Sequence, residues 1–296
     1  MVGRSYAVLA ERGVLAISGP DRRSFLQGLI SADVERASAT RAIYAALLTA
    51  QGKYLFDFFI VEVGDVLLLD TERGRVGDLK RRLGLYKLRA QISLDDASDR
   101  FAVTALFGDD TLTALGLAEA GAARPLDGGA ILADPRLAEA GARAILAPTS
   151  GAIAGLGFVK ADPADYDFHR LGLGLPDGSR DLEIEKAILL ENGFEELNGV
   201  DFAKGCYLGQ ELTARTKYRA LIKKRLVPVI IDGPTPAAGA IVRLNGEDVG
   251  EMRSSRNNLG LARLRLEAID KAAAGAVLSA DGATLVPRRP IWARSS

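Results

Sequence analysis

Lys204-Gly205-Cys206-Tyr207-Leu208-Gly209-Gln210-Glu211, running on into Leu212-Thr213-Ala214-Arg215, is the most specific stretch of the 296-residue chain. It holds the only cysteine. A thiol between two glycines and ahead of a helix over Gly209–Tyr218 would be sterically open. Lys204 and the positive end of that helix would both favour its thiolate. The competing reading is a small buried thiol, because free cysteine is among the residues most often found inside proteins. A lone cysteine rules out an internal disulfide framework, fits a reducing compartment, and cannot by itself hold a conventional iron–sulfur cluster.

Upstream of this stretch, Leu197–Cys206 reads as a turn or loop and Ser179–Asn192 as a helix. Downstream, Arg215, Lys217, Arg219, Lys223, Lys224 and Arg225 make a basic run. It is either a solvated helix face or a surface for an acidic ligand, an acidic partner or an RNA phosphate. Past Arg225 the texture changes. Short apolar runs at Leu226–Ile231, Ala240–Leu244, Leu259–Leu266, Ala276–Ser279 and Thr284–Val286 are separated by turn signals such as Asp232-Gly233-Pro234 and Asn245-Gly246, the spacing of a small barrel. The chain therefore divides into residues 1–224 and a C-terminal β-barrel over 225–296.

Toward the N-terminus, residues 13–18 read as a strand and Gly19-Pro20-Asp21 as a helix start, with Phe25, Leu26, Leu29 and Ile30 on one buried face. Residues 42–70 read as antiparallel hairpins broken at Gln51-Gly52-Lys53 and Gly64-Asp65. The spacing of Val76, Leu79, Leu83 and Tyr86 predicts a helix over 72–86 with one apolar stripe. Residues 98–158 are rich in Ala and Gly, with strands near Phe101–Phe107 and Ala144–Ala147 around a helix at 111–120. The fold class is α+β followed by an all-β module.

With 48% hydrophobic residues the chain can bury a sizeable core. Thirty-eight basic side chains balance thirty-eight acidic ones, so no global field draws in nucleic acid or an anionic membrane. No window approaches the roughly 18 apolar residues of a membrane span. The N-terminal stretch lacks a signal or transit pattern, and the expected location is cytoplasmic. His169 is the single histidine, so a multi-His metal site is excluded, His169 reads as structural, and no metal-binding residue is assigned. Without a long heptad stripe the expected state is a monomer.

KGCYxGQE resembles the signature of the folate-binding YgfZ family, a branch of the glycine-cleavage T-protein (aminomethyltransferase) superfamily related to mitochondrial iron–sulfur assembly factors. The likeness extends over most of the chain. Leu26 to Val34 (LQGLISADV), Tyr86-Lys87-Leu88-Arg89 and Leu197 to Phe202 (LNGVDF) are similar to further family segments. What the resemblance implies is a T-protein-like ring, two α+β lobes and a small C-terminal β-barrel, around a channel for tetrahydrofolate or a one-carbon derivative.

In the superfamily a Glu in an L-E-x-G segment contacts the pterin, and Leu190-Glu191-Asn192-Gly193 fits that pattern. One carboxylate can accept both adjacent pterin donors. Without the resemblance Glu191 would read as a surface carboxylate. Lys204, Tyr207, Gln210 and Arg215 are assigned with Glu191 to the folate site. Asp57 is similar in position to the superfamily's catalytic Asp. Taken alone it is either a charge on a two-sided apolar strand that needs a partner, or an exposed edge-strand charge. Cys206 and Asp57 are the candidate catalytic residues.

The resemblance implies support of assembly or repair of iron–sulfur clusters in 4Fe–4S enzymes, with assembly proteins or client enzymes as partners and transient cluster contact at Cys206. Two alternatives are a tetrahydrofolate-dependent aminomethyltransferase and a folate-binding adaptor of RNA-modifying enzymes, including those of tRNA modification. The signature leans away from turnover, and one scaffold can host all three.

Overall fold

A computed structural model describes residues 3–219 and 222–293. The ends of the N-terminal and C-terminal readings, Met1, Val2 and residues 294–296, lie outside the described residues, as do Ala220 and Leu221 of the segment between signature helix and barrel.

Strands β1 (Ser5–Val8) and β2 (Arg12–Ser18) lead into helix α1 (Arg22–Gln27). The hairpins follow as β3 (Ile43–Leu48), β4 (Tyr54–Val63) and β5 (Val66–Glu72), then α2 (Val76–Gly84) and β6 (Ser93–Asp96). Next come β7 (Ala102–Phe107), α3 (Thr111–Leu115), β8 (Ala123–Leu126), β9 (Gly129–Ala133), β10 (Ala142–Leu146) and β11 (Val159–Lys160). Helices α4 (Pro163–Leu173), α5 (Gly178–Asp181) and α6 (Gln210–Tyr218) precede the C-terminal strands. These are β12 (Lys224–Asp232), β13 (Ile241–Leu244), β14 (Glu247–Arg256) and β15 (Leu259–Arg265), then helix α7 (Leu266–Ala273), β16 (Leu278–Ala280) and β17 (Ala283–Pro287).

The first lobe is built on a five-stranded sheet of order β3-β4-β5-β2-β6 and the second on a six-stranded sheet of order β11-β1-β7-β10-β9-β8. Val14, Ala16, Val61 and Leu68 of the first meet Val103, Ala130, Leu132 and Ile145 of the second in one buried cluster. The inner strands are apolar on both faces because each face is covered. On the other face of the first sheet, Leu26, Ile30, Val76, Leu79 and Leu83 from the helices pack on Leu15, Ile17, Phe56 and Phe58.

The C-terminal strands close into a barrel, β12-β15-β14-β13-β16-β17, filled by Val229, Val242, Met252, Leu264 and Leu285. Helix α4 seats the barrel on the second lobe. Leu171 packs with Leu226 and Leu261, while Asp167 pairs with Arg256 at 2.9 Å. The α4 start is well specified: Asp162 and Asp165 form a reciprocal capping box with Pro163 in the first turn.

Several expectations are corrected. Ser179–Asn192 is not a continuous helix but one α-turn and a 3-10 turn at Leu189–Asn192. Its backbone instead pairs with the start of β4, Tyr54 N donating to Ala187 O at 3.0 Å and Glu185 N to Tyr54 O at 2.8 Å. Glu185 sits at φ +62°, outside any helix. The helix expected over 111–120 stops at Gly116, a left-handed C-terminal residue. Tyr86 does not extend the α2 stripe, since the helix ends two residues earlier and the ring is exposed. The runs that mark the barrel pass over β14, whose sequence EDVGEMRSSR reads as polar because only Val249, Met252 and Ser254 face inward.

Candidate functional site

The signature loop is fixed by Lys204, Tyr207 and Gln210, and the thiol takes no part in holding it. Lys204 Nζ donates to three carbonyls just past α1: Gln27 O at 2.8 Å, Ile30 O at 2.6 Å and Ala32 O at 2.9 Å. Burial, opposed by Asp33 and Asp201, draws this ammonium down to about 8. Asp201 shapes the approach, its carboxylate accepting from Ala203 N at 2.8 Å. Ser31 ties the same region to β3, donating to Gly199 O and accepting from Ala46 N.

Tyr207 turns inward to the cluster of Tyr44, Tyr54, Phe59 and Phe194. Burial pushes its phenol up to about 12, with a hydrogen bond to Thr213 acting the other way, so the hydroxyl stays protonated. Gln210 Oε1 accepts from Tyr207 N at 3.1 Å, closing the turn before α6, and Leu208 N donates to Gly28 O at 3.0 Å.

The two glycines flanking the thiol differ in kind. Gly209 sits at φ +79°, and a Cβ there would run into Thr49 O and come within 3.0 Å of Gly52 Cα. Gly52, at φ +78° in the β3–β4 turn, packs back on it. Gly205 has open space around it. Cys206 is exposed, four residues ahead of the first residue of α6. Among the described residues no group of three or more His, Cys, Asp or Glu side chains is placed to hold a metal ion.

Beside the loop lies a cleft of about 440 Å³, walled by Val200–Ala203 and bottomed by Tyr44. Most of its charges are paired: Arg36 with Asp201 at 3.6 Å, Arg41 with Glu119 at 2.9 Å and Lys217 with Glu195 at 2.9 Å, while Asp33 accepts from Gln27 at 2.8 Å. Of these, only Lys217 falls in the basic run that the sequence marks. The pairs join positions 78 and 165 residues apart and had no local signal. Lys217 Nζ also sits 3.7 Å from the Phe202 ring centre.

Behind Tyr44 is Asp57, on a central strand and only 2% exposed, not at a sheet edge. Both its oxygens accept from tyrosine hydroxyls at 2.7 Å, one from Tyr44 and one from Tyr54. Burial pushes its pKa up; Arg12 and the two hydroxyls pull the other way. The two phenols are raised well above their ordinary value by burial and by Asp57. Because Asp57 takes up its proton more readily in the fold than in the unfolded chain, its contribution to stability is complete below the ordinary value of 3.8 and is lost as pH rises through the folded value. Wild type is therefore expected to gain on Asp57→Asn as pH falls from about 7 to about 4 in parallel urea titrations. A stability difference that stayed flat would mean Asp57 does not titrate there.

Glu191 lies in the 3-10 turn, 9% exposed, and its carboxylate makes no hydrogen bond among the described residues. Arg215 is exposed and paired with Glu211 at 2.6 Å. The structure thus brings Lys204, Cys206, Tyr207 and Gln210 into one loop and puts Arg215 on the outer face of α6. The basic run is not one free patch, since Arg215, Lys217 and Arg225 pair with Glu211, Glu195 and Glu196. His169 bonds Glu139 O at 3.0 Å and lies beside Phe107, with its pKa lowered by burial.

Residues 223–295 match the model of the CAF17 C-terminal β-barrel domain. The chain is 35% identical over 278 residues to the human mitochondrial iron–sulfur cluster assembly factor IBA57, covering 87% of this chain and 76% of that protein. The mouse counterpart is 33% identical with the same coverage, and the Mycosarcoma maydis homolog is 29% identical over 96% of this chain and 83% of its own. In structure it is similar to the glycine cleavage system aminomethyltransferase T from Bartonella henselae, with a TM-score of 0.77 over 98% of this chain and 86% of that one. At 14% identity this likeness carries the fold, a T-protein fold, and nothing more. The cytoplasmic expectation is corrected by these relatives, which are named mitochondrial. A lone thiol reports a reducing compartment, and more than one compartment is reducing.

Proposed function

Because the chain belongs to the family of IBA57 iron–sulfur cluster assembly factors, we propose that it acts in iron–sulfur cluster assembly through the thiol of Cys206. The observation that carries this reading is the division of labour in the signature loop: Lys204, Tyr207 and Gln210 bond or pack into the fold, Gly209 is closely packed, and Cys206 between them is exposed. A side chain held outward by that much structure is poorly explained as core filler. One thiolate cannot complete the coordination of a cluster, so the remaining ligands come from the protein with which the cluster is exchanged, and the cluster is cargo.

The test is the activity of a 4Fe–4S enzyme in cells lacking their own family member, complemented with this protein or with Cys206→Ser at matched soluble levels. Wild type is expected to restore activity and the variant to fail. Equal rescue would remove the thiol from the mechanism; no rescue by folded wild type would remove the assembly role.

We also propose tetrahydrofolate or a one-carbon derivative as ligand. Glu191 fits it: its carboxylate reaches the solvent without a protein donor and is free to accept the pterin's adjacent N–H groups in parallel. Asp57, 2% exposed and bonded to both tyrosine hydroxyls, lies behind them and out of reach of a ligand. Glu191→Gln is expected to weaken tetrahydrofolate binding in calorimetry by roughly tenfold or more, the loss of a charge-assisted pair. Unchanged affinity would put the pterin elsewhere.

A further inference from the structure

Helix α2 ends at Gly84, and the five residues after it, Leu85-Tyr86-Lys87-Leu88-Arg89, turn out into solvent. Leu85 is 67% exposed, Tyr86 42% and Leu88 89%. Single exposed apolar side chains are ordinary, but three within four residues form a patch. The turn is held by its own backbone, Ala90 N donating to Lys87 O at 2.7 Å, and Leu88 occupies it at φ +42°. That conformation favours Gly or Asn, so a leucine there is held outward at a cost in backbone strain.

The knuckle's own stretch of chain is basic. From Leu79 to Ile92 the sequence contains Lys80, Arg81, Arg82, Lys87 and Arg89 and no acidic residue. Arg81 and Arg82 pair with Asp78, and Arg82 also with Glu185 at 3.4 Å, while Lys80, Lys87 and Arg89 are exposed and have no ion pair among the described residues. The knuckle also has a fixed relation to the thiol loop. Gln91 N donates to the Asp21 carboxylate at the start of α1, at 2.7 Å. Lys204 and Leu208 bond to Gln27 O and Gly28 O at its end. Six residues of helix, about 10 Å, separate the two attachments.

We propose that the 85–89 knuckle is the docking element for the protein that exchanges a cluster with Cys206, and that this partner presents an acidic rim around an apolar pocket. This rests on the assembly role proposed above. Leu85 and Leu88 would enter the pocket, and Lys87 and Arg89 would meet the rim. The element is too short for a membrane-surface helix, whose binding scales with the apolar area along a long amphipathic face.

The test uses the full chain in the same complementation assay, with Leu85→Ser/Leu88→Ser and Lys87→Glu/Arg89→Glu beside Cys206→Ser. Loss of rescued 4Fe–4S enzyme activity by roughly tenfold or more is expected for both knuckle variants, with an unchanged unfolding midpoint and an unchanged rate of Cys206 alkylation. Failure of Cys206→Ser with full rescue by the knuckle variants would overturn the docking proposal and leave the assembly role standing. Full rescue by Cys206→Ser would strike at the thiol reading itself.

A photo-crosslinking residue in place of Tyr86 is expected to join the chain to an iron–sulfur protein, and to do so no longer when Lys87→Glu/Arg89→Glu is added. Crosslinking only to lipid or to another copy of this chain would overturn the proposal. So would binding of wild type, but not of the knuckle variants, to vesicles of phosphatidylglycerol.

Discussion

Gly209→Ala is expected to destabilise the protein by about 3 kcal/mol or more and to silence it in complementation, while Gly205→Ala, four positions away, leaves both stability and activity near wild type. The difference is in the backbone. At Gly209 a side chain meets two penalties at once. A left-handed conformation costs an L-residue about 1–2 kcal/mol, and the added methyl collides with the Thr49 carbonyl and the Gly52 backbone, which cannot swing aside as a flexible side chain could. The neighbouring hairpin turn must move, and with it the start of α6. At Gly205 a methyl meets nothing within 4 Å, and surface substitutions of that kind stay within about 0.5 kcal/mol. Urea denaturation of the two variants decides the matter. Equal midpoints would mean that the glycine pair at 52 and 209 is not what fixes the loop.

The second large effect is predicted far from the thiol. Asp70→Ala is expected to cost about 3–5 kcal/mol, the usual penalty for breaking a buried ion pair from one side. Asp70 on β5 is wholly buried and holds two guanidinium groups, Arg12 Nε at 2.7 Å and Arg143 Nη1 at 2.8 Å. Arg12 belongs to the first lobe and Arg143 to the second, so this carboxylate clamps the lobes together. Burial works against the charge on Arg12, and Asp70 with Asp177 more than offsets it, holding the group firmly protonated. Beneath the pair lies Phe59, whose ring also faces Arg136, at 4.8 Å, and Arg143, at 3.9 Å. Removing Asp70 leaves Arg143 the Phe59 ring, a 3.7 Å approach to Asp134 and a hydrogen bond to Tyr166, but no close carboxylate. Calorimetric melting should show the variant well below wild type; a small shift would mean that water enters and solvates the two arginines.

That clamp also marks where the sequence stops being readable. Arg12, Asp70 and Arg143 are 58 and 73 positions apart, and nothing local in any of them announces the others. What could be read was local. The hairpins over 42–70 were legible because apolar runs were broken by Gly at tight turns, and α6 because a glycine stood before it. The Ser179–Asn192 stretch defies its pattern for the opposite reason: its leucines recur at helical spacing, yet Leu182 and Leu189 reach the Tyr44–Phe194 cluster from two separate short turns, with Glu185 and Ala187 between them bonded to Tyr54 of β4. Asp57 was legible as a charge in an apolar strand, whereas its two tyrosine donors came from opposite ends of a hairpin. Glu191 stood out through likeness alone, and Cys206 through its flanking glycines.

A loop pinned at Lys204 on one side and at Tyr207 to Gln210 on the other has already surrendered its conformational freedom when the chain folds. The entropy of placing the Cys206 sulfur is therefore settled before any partner arrives, so an encounter need only align two surfaces and does not also have to order a segment. In the cluster-assembly role proposed above, a backbone already set beneath the Cys206 thiol would shorten the interval in which neither protein holds the cluster.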